Sequence, residues 1–357
     1  SGVVTRLFDK ELKRELIDSD APYGLNQYLY VSGFAESAKD VARTGVSLPA
    51  KIVQQSRPGC TVMKIQTSAF NTPQLNTEIV LYSDTKRIDF FNTLNKTATY
   101  EKEAGYFAFP FLFRSPRFFV EIPNGVVRPD KDMLDGGCMA WYCAQDFVAV
   151  SDDAAAVVWT AVDSPLVTLN DINHEVSQGK PLRSLPPLSS AGTKWPVPLD
   201  KGYVYGYVFN NYWLTNYKGS QGGRLRFRFS LTSMKTYDPV AAKRFGQSVR
   251  NPLLAEVVQP GNAVEEKLPA TFSFCSVSPE NVAIQAVKRA ESGEGLILRL
   301  REVGGKPASA TINLPVGRFK NAWRCNLVED TQSELQISKG RIRIELQANG
   351  LATVLVK

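Results

Sequence analysis

Residues 202–230 read GYVYGYVFNNYWLTNYKGSQGGRLRFRFS. Tyr203, Tyr205, Tyr207 and Phe209 recur at every second position, which is the period of a β-strand. Arg224, Arg226 and Arg228 alternate with Leu225, Phe227 and Phe229, so a second strand with one solvated and one buried face is predicted. Between the two lies Asn210-Asn211-Tyr212-Trp213-Leu214-Thr215-Asn216-Tyr217. Amides supply donors and acceptors, and Trp and Tyr supply flat apolar faces. That mixture suits the hydroxyl rim and C–H faces of a carbohydrate. It suits an ordered hairpin connection with nothing bound equally well.

The same period extends outward. Lys51 to Ser68, Glu78 to Phe91, Tyr106 to Phe113 and Phe118 to Ile122 are rich in β-branched and aromatic residues. Phe107, Phe109, Phe111 and Phe113 fall on one strand face, and Pro110 within that run predicts a bulge or an edge. Trp141 to Val150, Ala155 to Ala161 and Leu166 to Thr168 continue the pattern. Asn124-Gly125 and Asn349-Gly350 are type I′ hairpin signals. Helical pattern is scarce. Phe8 to Leu16 reads as a short helix or a charged hairpin connection, and Glu36 to Arg43 as a short helix.

Two breaks divide the chain. Pro181, Pro186, Pro187, Pro196 and Pro198, among serines, form an irregular connection. Pro260-Gly261 opens a second, charged and non-periodic stretch from Val257 to Leu268. Beyond it, Thr271 to Val277, Val282 to Lys288, Leu296 to Arg301, Ala310 to Leu314, Arg341 to Gln347 and Thr353 to Val356 read as short strands, with Ile342, Ile344 and Leu346 facing in. The expected organisation is a large β domain over 1–260 and a small β-sandwich over 261–357.

A length of 357 residues suits this division. The net charge of +7 is spread along the chain without a long basic block. Nucleic-acid binding needs a concentrated patch with interleaved aromatics, for which only the strand of Arg224, Arg226 and Arg228 is available, and no nucleic-acid partner is expected. No apolar run is long enough to span a membrane as a helix. The compartment stays open. Five cysteines, Cys60, Cys138, Cys143, Cys275 and Cys325, show no CxxC spacing and read mostly as free thiols in a core. His174 is the single histidine and reads as a surface loop residue, which weakens any histidine-based zinc site or Ser/His/Asp scheme. Asp130 with Asp132 and Asp152 with Asp153 are paired carboxylates. Glycoside hydrolysis requires such a pair to flank the scissile bond, and solvated turns explain both pairs better.

The chain resembles the C-terminal β region of glycoside hydrolase family 38, the α-mannosidases. The resemblance rests on the opening Ser1-Gly-Val-Val-Thr-Arg-Leu-Phe-Asp-Lys-Glu-Leu-Lys-Arg-Glu-Leu, then Tyr23-Gly-Leu-Asn-Gln-Tyr-Leu-Tyr-Val and Ile88-Asp-Phe-Phe-Asn. Tyr106-Phe-Ala-Phe-Pro-Phe, Glu121-Ile-Pro-Asn-Gly and Asp163-Ser-Pro-Leu-Val follow, then Asn210-Asn-Tyr-Trp with Thr215-Asn-Tyr. Ser278-Pro-Glu-Asn-Val and Gly293-Glu-Gly-Leu-Ile-Leu-Arg-Leu complete the set.

The resemblance implies an all-β fold, a galactose-mutarotase-like supersandwich followed by a smaller C-terminal β-sandwich. It implies an N-terminal α/β catalytic domain of the same protein as partner and an α-mannoside or other carbohydrate as ligand. It leaves homo-oligomerisation open. In the family the nucleophile, the acid/base carboxylate and a zinc ion reside in that α/β domain. None of those motifs occurs here, so no catalytic residue, metal ligand or cofactor is expected in this chain. Candidate substrate-binding residues are Asn210, Asn211, Trp213, Thr215, Asn216 and Tyr217, with Asp84 and Arg87 in a polar turn. Bracing of a domain interface is the competing role for the loop. A stand-alone carbohydrate-binding or scaffolding module is the alternative to a portion of a mannosidase.

Overall fold

The structure, a computed structural model, describes residues 2–32, 42–44, 49–134, 139, 141–172, 199–211, 219–257 and 270–357. Its compact units are Ser1–Ile122, Val126–Tyr237 and Phe245–Arg250 for the larger, and Pro123–Gly125, Asp238–Arg244 and Asn251–Lys357 for the smaller.

Both alternating segments around residue 210 are strands, but they lie in different sheets. Gly202–Asn210 is internal to a six-stranded sheet, in the order Tyr142–Cys143, Leu166–Leu169, Gly202–Asn210, Glu103–Phe111, Gln27–Ser32 and Ala42–Thr44. Gly223–Met234 is internal to a nine-stranded sheet, in the order Gly125–Val127, Arg117–Ile122, Val148–Ser151, Ala156–Ala161, Gly223–Met234, Ile88–Lys96, Thr72–Tyr82, Cys60–Ala69 and Lys51–Arg57. The intervening segment is therefore a connection between sheets and not a hairpin loop.

The phenylalanine stripe explains how the sheets join. Phe107, Phe109 and Phe111 point into one core with Phe90, Trp159, Phe227 and Phe229 of the other sheet. The Phe109 ring lies 5.2 Å from both Trp159 and Phe229. Burying such rings contributes roughly 1.5–3 kcal/mol each. The opposite face of Glu103–Phe111 is buried as well, where Tyr106 stacks on Tyr207 at 4.5 Å. Polar contacts cross the core as well: Asn26 and Asn92 exchange amide hydrogen bonds of 2.9 and 3.0 Å, with Thr77 donating to Asn92 at 2.7 Å, and the Tyr28 and Thr72 hydroxyls meet at 3.2 Å.

Pro110 lies inside its strand, opposite Tyr203 on one side and beside the Ile17–Asp18 segment on the other, where the Asp18 N–H donates to its carbonyl at 3.0 Å. The neighbouring strand Gln27–Ser32 has ended at Gln27, which faces Ala108, so no ladder bond is asked of the missing N–H. Phe209 departs from the simple alternation. A bulge between Tyr207 and Phe209 turns Phe209 to the main core, while Tyr203, Tyr205 and Tyr207 share the opposite face.

Phe8–Asp9 and Arg14–Glu15 pair as a hairpin, which settles the first short-helix alternative. Ala42–Thr44 is a strand where the second helix was expected to end, and the rest of that expectation lies outside the described residues. A helix that the periodicity did not predict, Pro239–Arg250, starts from Asp238, whose Oδ1 accepts the N–H of Val240 at 2.8 Å. Asn124 and Asn349 adopt positive φ, but Gly125 and Gly350 do not, so neither turn is type I′. The irregular stretch around Pro181 to Pro198, His174 and Cys138 lie outside the described residues. Cys60, Cys143, Cys275 and Cys325 are free thiols, of which only Cys325 is fully buried, so the expectation of mostly core thiols is corrected.

The smaller unit is a second sandwich. Ser276–Ser278, Ala308–Asn313 and Arg341–Leu346 form one sheet. Val282–Arg289, Leu296–Glu302, Leu351–Val356, Ala322–Cys325 and Thr331–Leu335 form the other. Ile342, Ile344 and Leu346 meet Leu298, Leu300 and Val354 in its core, and Arg341, Arg343 and Glu345 point out. The fold class is thus all-β, a large two-sheet sandwich followed by a smaller one.

The paired carboxylates serve turns. Asp152 binds the Arg14 guanidinium through both oxygens, at 3.0 and 2.7 Å, and accepts the N–H groups of Ala154 and Ala155. Burial alone raises its pKa, but Arg14 and the two amides outweigh it and bring it down from 3.8 to about 2. A depressed carboxylate contributes its full stability above its unfolded pKa and loses it as pH falls through the folded one. Stability is therefore expected to decline between about pH 4 and 2 more steeply in the parent than in Asp152→Asn, as read by urea melts across that range. Asp153 pairs with Arg117 at 2.7 Å, and Asp130 with Arg128 at 2.6 Å, while Asp132 accepts the Arg128 N–H.

Candidate functional site

The Gly202–Asn210 strand delivers Asn210 and Asn211 to one end of the six-stranded sheet. Asn211 is buried and its amide is wholly engaged with backbone. Its Oδ1 accepts the Glu103 N–H at 2.6 Å, and its Nδ2 donates to the Glu101 carbonyl at 2.7 Å. Longer contacts reach the carbonyls of Thr99 and Gly219. These bonds tie both ends of segment 212–218 to the Thr99–Glu103 turn. Asn211 is accordingly an anchor for that segment, with its donors and acceptor already used.

Beneath this anchor lies an ion pair removed from water. Lys96 Nζ contacts Glu103 Oε1, with side chains 0 % and 1 % exposed. Lys96 also donates to the carbonyls of Gln221 at 2.6 Å and Thr97 at 3.0 Å, and its ammonium sits 5.2 Å from the Phe209 ring centroid. Glu103 Oε2 accepts from Tyr30 Oη at 2.5 Å and from Asn71 Nδ2 at 3.1 Å. Burial first, and then the bond to Glu103, pushes the Tyr30 phenol far above its ordinary value, so it remains a neutral donor. The charged pair sits where strands end, Lys96 closing Ile88–Lys96 and Glu103 opening Glu103–Phe111, while Tyr30 donates from within Gln27–Ser32.

Gly105 is required in the same place. A Cβ there would lie 2.3 Å from the Phe209 ring, on the strand that pairs with Glu103–Phe111. Gly105→Ala is expected to lower stability by about 1–3 kcal/mol through overpacking, seen as a reduced urea midpoint.

The remaining sequence candidates separate. Trp213, Thr215, Asn216 and Tyr217 lie outside the described residues. Asp84 is exposed in the turn between Thr72–Tyr82 and Ile88–Lys96, where it accepts from Thr85 at 3.3 Å. Arg87 is not free to grip a ligand. Its guanidinium binds the buried Asp89 at 2.6 and 2.8 Å, and lies 5.7 Å from the Tyr82 ring centroid. Asp89 also accepts from Tyr82 and Ser230, and burial followed by that Asp89 bond raises the Tyr82 phenol to about 12. The structure therefore places Asp84 and Arg87 in a different cluster from Asn210 and Asn211. Among the described residues no group of three or more His, Cys, Asp or Glu side chains is placed to hold a metal ion.

The Lys96–Glu103 pair was not among the sequence candidates. One signal for it exists: Lys96 continues the inward parity of Phe90, Asn92 and Leu94. Its polar neighbours Asn95, Thr97 and Thr99 disguise it as part of a solvated turn.

The chain is thus an all-β pair of sandwiches, and the larger one carries a buried polar cluster where its strands end. Residues 281–354 match the model of the Glycosyl hydrolases family 38 C-terminal beta sandwich domain. The fold of the chain is shared with an alpha-mannosidase from Enterococcus faecalis V583, at a TM-score of 0.69 and 12 % identity, covering 99 % of this chain and 40 % of that one. A protein in the Glycosyl Hydrolase Family 38 from Enterococcus faecalis gives a TM-score of 0.70 at 12 % identity, covering 99 % of this chain and 42 % of that one. The chain spans about two-fifths of the length of each. None of the curated proteins matches it. The resemblance to the C-terminal β region of glycoside hydrolase family 38 is borne out by these findings.

Proposed function

We propose that the chain is the C-terminal β-sandwich region of an α-mannosidase-like glycoside hydrolase. In this reading it supports carbohydrate binding and the catalytic domain during hydrolysis of terminal α-mannosides, and it is not catalytic by itself. The observation that carries the reading is the coverage. Almost all of this chain, but only about two-fifths of an α-mannosidase, is shared in fold. The division into a large domain over 1–260 and a small one over 261–357 is part of the same proposal.

Within it, the segment from Asn210 to Tyr217 meets the mannoside or the catalytic domain. Trp213 or Tyr217 stacks on an apolar face, while Asn210, Thr215 and Asn216 bond hydroxyls. The hydrogen bonds that hold Asn211 before the segment and the Gly219 and Gln221 carbonyls after it support this assignment, because a positioning loop needs fixed ends. Asp84 and Arg87 have a weaker claim, since Arg87 is already committed to Asp89.

A chromogenic α-mannoside incubated with this chain and zinc should release no chromophore. Clear turnover would remove the accessory reading. Mannobiose titrated against the chain and against Trp213→Ala separates the two roles of the loop. Weaker binding by the variant supports sugar contact, and equal behaviour assigns the loop to a domain interface.

A further inference from the structure

We propose that the outer face of the nine-stranded sheet binds an oligosaccharide carrying anionic substituents. The inference does not depend on whether the chain serves a mannosidase, because it rests on one exposed face and its side-chain register.

Five strands of that sheet place one side chain each in a straight row. Lys51 faces Gln66, Gln66 faces Asn76, Asn76 faces Thr93, and Thr93 faces Arg226. Neighbouring strands stand about 4.8 Å apart, so the row runs about 19 Å across the sheet. A second row lies beside it, in which Gln74 faces Asn95 and Asn95 faces Arg224. On the other side, Glu78 faces both Lys64 and Phe91. Residues of all three rows line an open groove of about 760 Å³.

The side-chain chemistry is specific in kind. Gln and Asn each present a donor pair and an acceptor, so a regular grid of them matches a regular grid of hydroxyls. Phe91, half-exposed among the polar groups, offers one flat apolar face. Asn76 Oδ1 is turned away from water and has no hydrogen-bond partner among the described residues.

Charge adds the anionic preference. Lys64 is offset by Glu78 at 3.7 Å, but among the described residues Lys51, Arg224 and Arg226 have no acidic partner. The two ends of the amide row are therefore positive, and the face as a whole carries uncompensated positive charge. A neutral sugar would use the amides and leave these ends unused. A plain polyanion would use the ends and leave the amides unpaired.

The test is calorimetric titration of the whole chain, at low salt, with three probes: a sulfated oligosaccharide, a neutral oligosaccharide of the same length, and a polyglutamate of the same charge. The sulfated sugar is expected to bind saturably, at least about tenfold more tightly than either other probe, and to weaken as salt rises. Asn76→Ala and Arg224→Ala should each weaken it several-fold with unchanged melting temperature. Equal binding of polyglutamate, equal binding of the neutral sugar, absence of saturation, or indifference to both substitutions would overturn the proposal.

Discussion

Lys96→Met lowers the unfolding free energy of the large sandwich by about 3–5 kcal/mol, the cost of leaving a buried carboxylate without its counter-charge. Glu103 is 1 % exposed and cannot be rehydrated without opening the sheet end. Tyr30 and Asn71 would still donate to it, but two neutral donors do not replace an ammonium. Methionine keeps the length and apolar stem of lysine, so a cavity is not the cause of the loss. The double substitution Lys96→Met with Glu103→Gln isolates the ionic part, because a neutral amide no longer needs a cation. The double variant should therefore be less destabilised than the sum of the two single variants, with a coupling of about 0.5–3 kcal/mol in urea unfolding. Additive losses would mean that the two groups act separately. Segment 212–218 should become more accessible to proteases in Lys96→Met, since Lys96 holds the Gln221 carbonyl just beyond it.

The large features of this fold were legible because they follow a period. Phe107, Phe109 and Phe111 announce their strand, and Ile342, Ile344 and Leu346 announce another. What escaped was set by single residues against the period. The bulge at Val208 reverses the side on which Phe209 lies, and nothing in alternating aromatics marks it. Helix Pro239–Arg250 carried a readable start, Asp238 followed by Pro239, but the short amphipathic run after it is easily lost among strands. Ala322–Cys325 and Thr331–Leu335 are too short to show a period, and the second is largely exposed. The candidate site was half legible. An Asn-rich, aromatic loop is visible in sequence, but whether an amide faces a ligand or backbone depends on partners far along the chain. Asn211 is the case in point, bound to residues more than a hundred positions away.

Glu302→Ala is expected to destabilise the small sandwich by about 3 kcal/mol or more, since hydrogen bonds to a charged acceptor are worth about 1.5–3 kcal/mol each and several are lost together. This carboxylate is fully buried at the end of Leu296–Glu302 and accepts five N–H groups. Oε1 takes Asn281 Nδ2 and the Gly304 amide, both at 2.7 Å. Oε2 takes the amides of Gly305 and Asn349 at 2.9 Å and Lys306 at 3.2 Å. One side chain thereby closes the turn that follows its own strand and pins the turn before Leu351–Val356. Loops carry no ladder, so their buried N–H groups depend on such an acceptor. Glu302→Gln has the same shape but recovers little. Whichever way its amide turns, an NH₂ replaces an acceptor oxygen and confronts two or three donors. Both variants should unfold at lower urea, and hydrogen exchange should quicken first at Gly304 to Lys306 and at Asn349. Restoration of wild-type stability by glutamine would show that acceptor geometry, and not the full set of oxygen lone pairs, holds these two turns together.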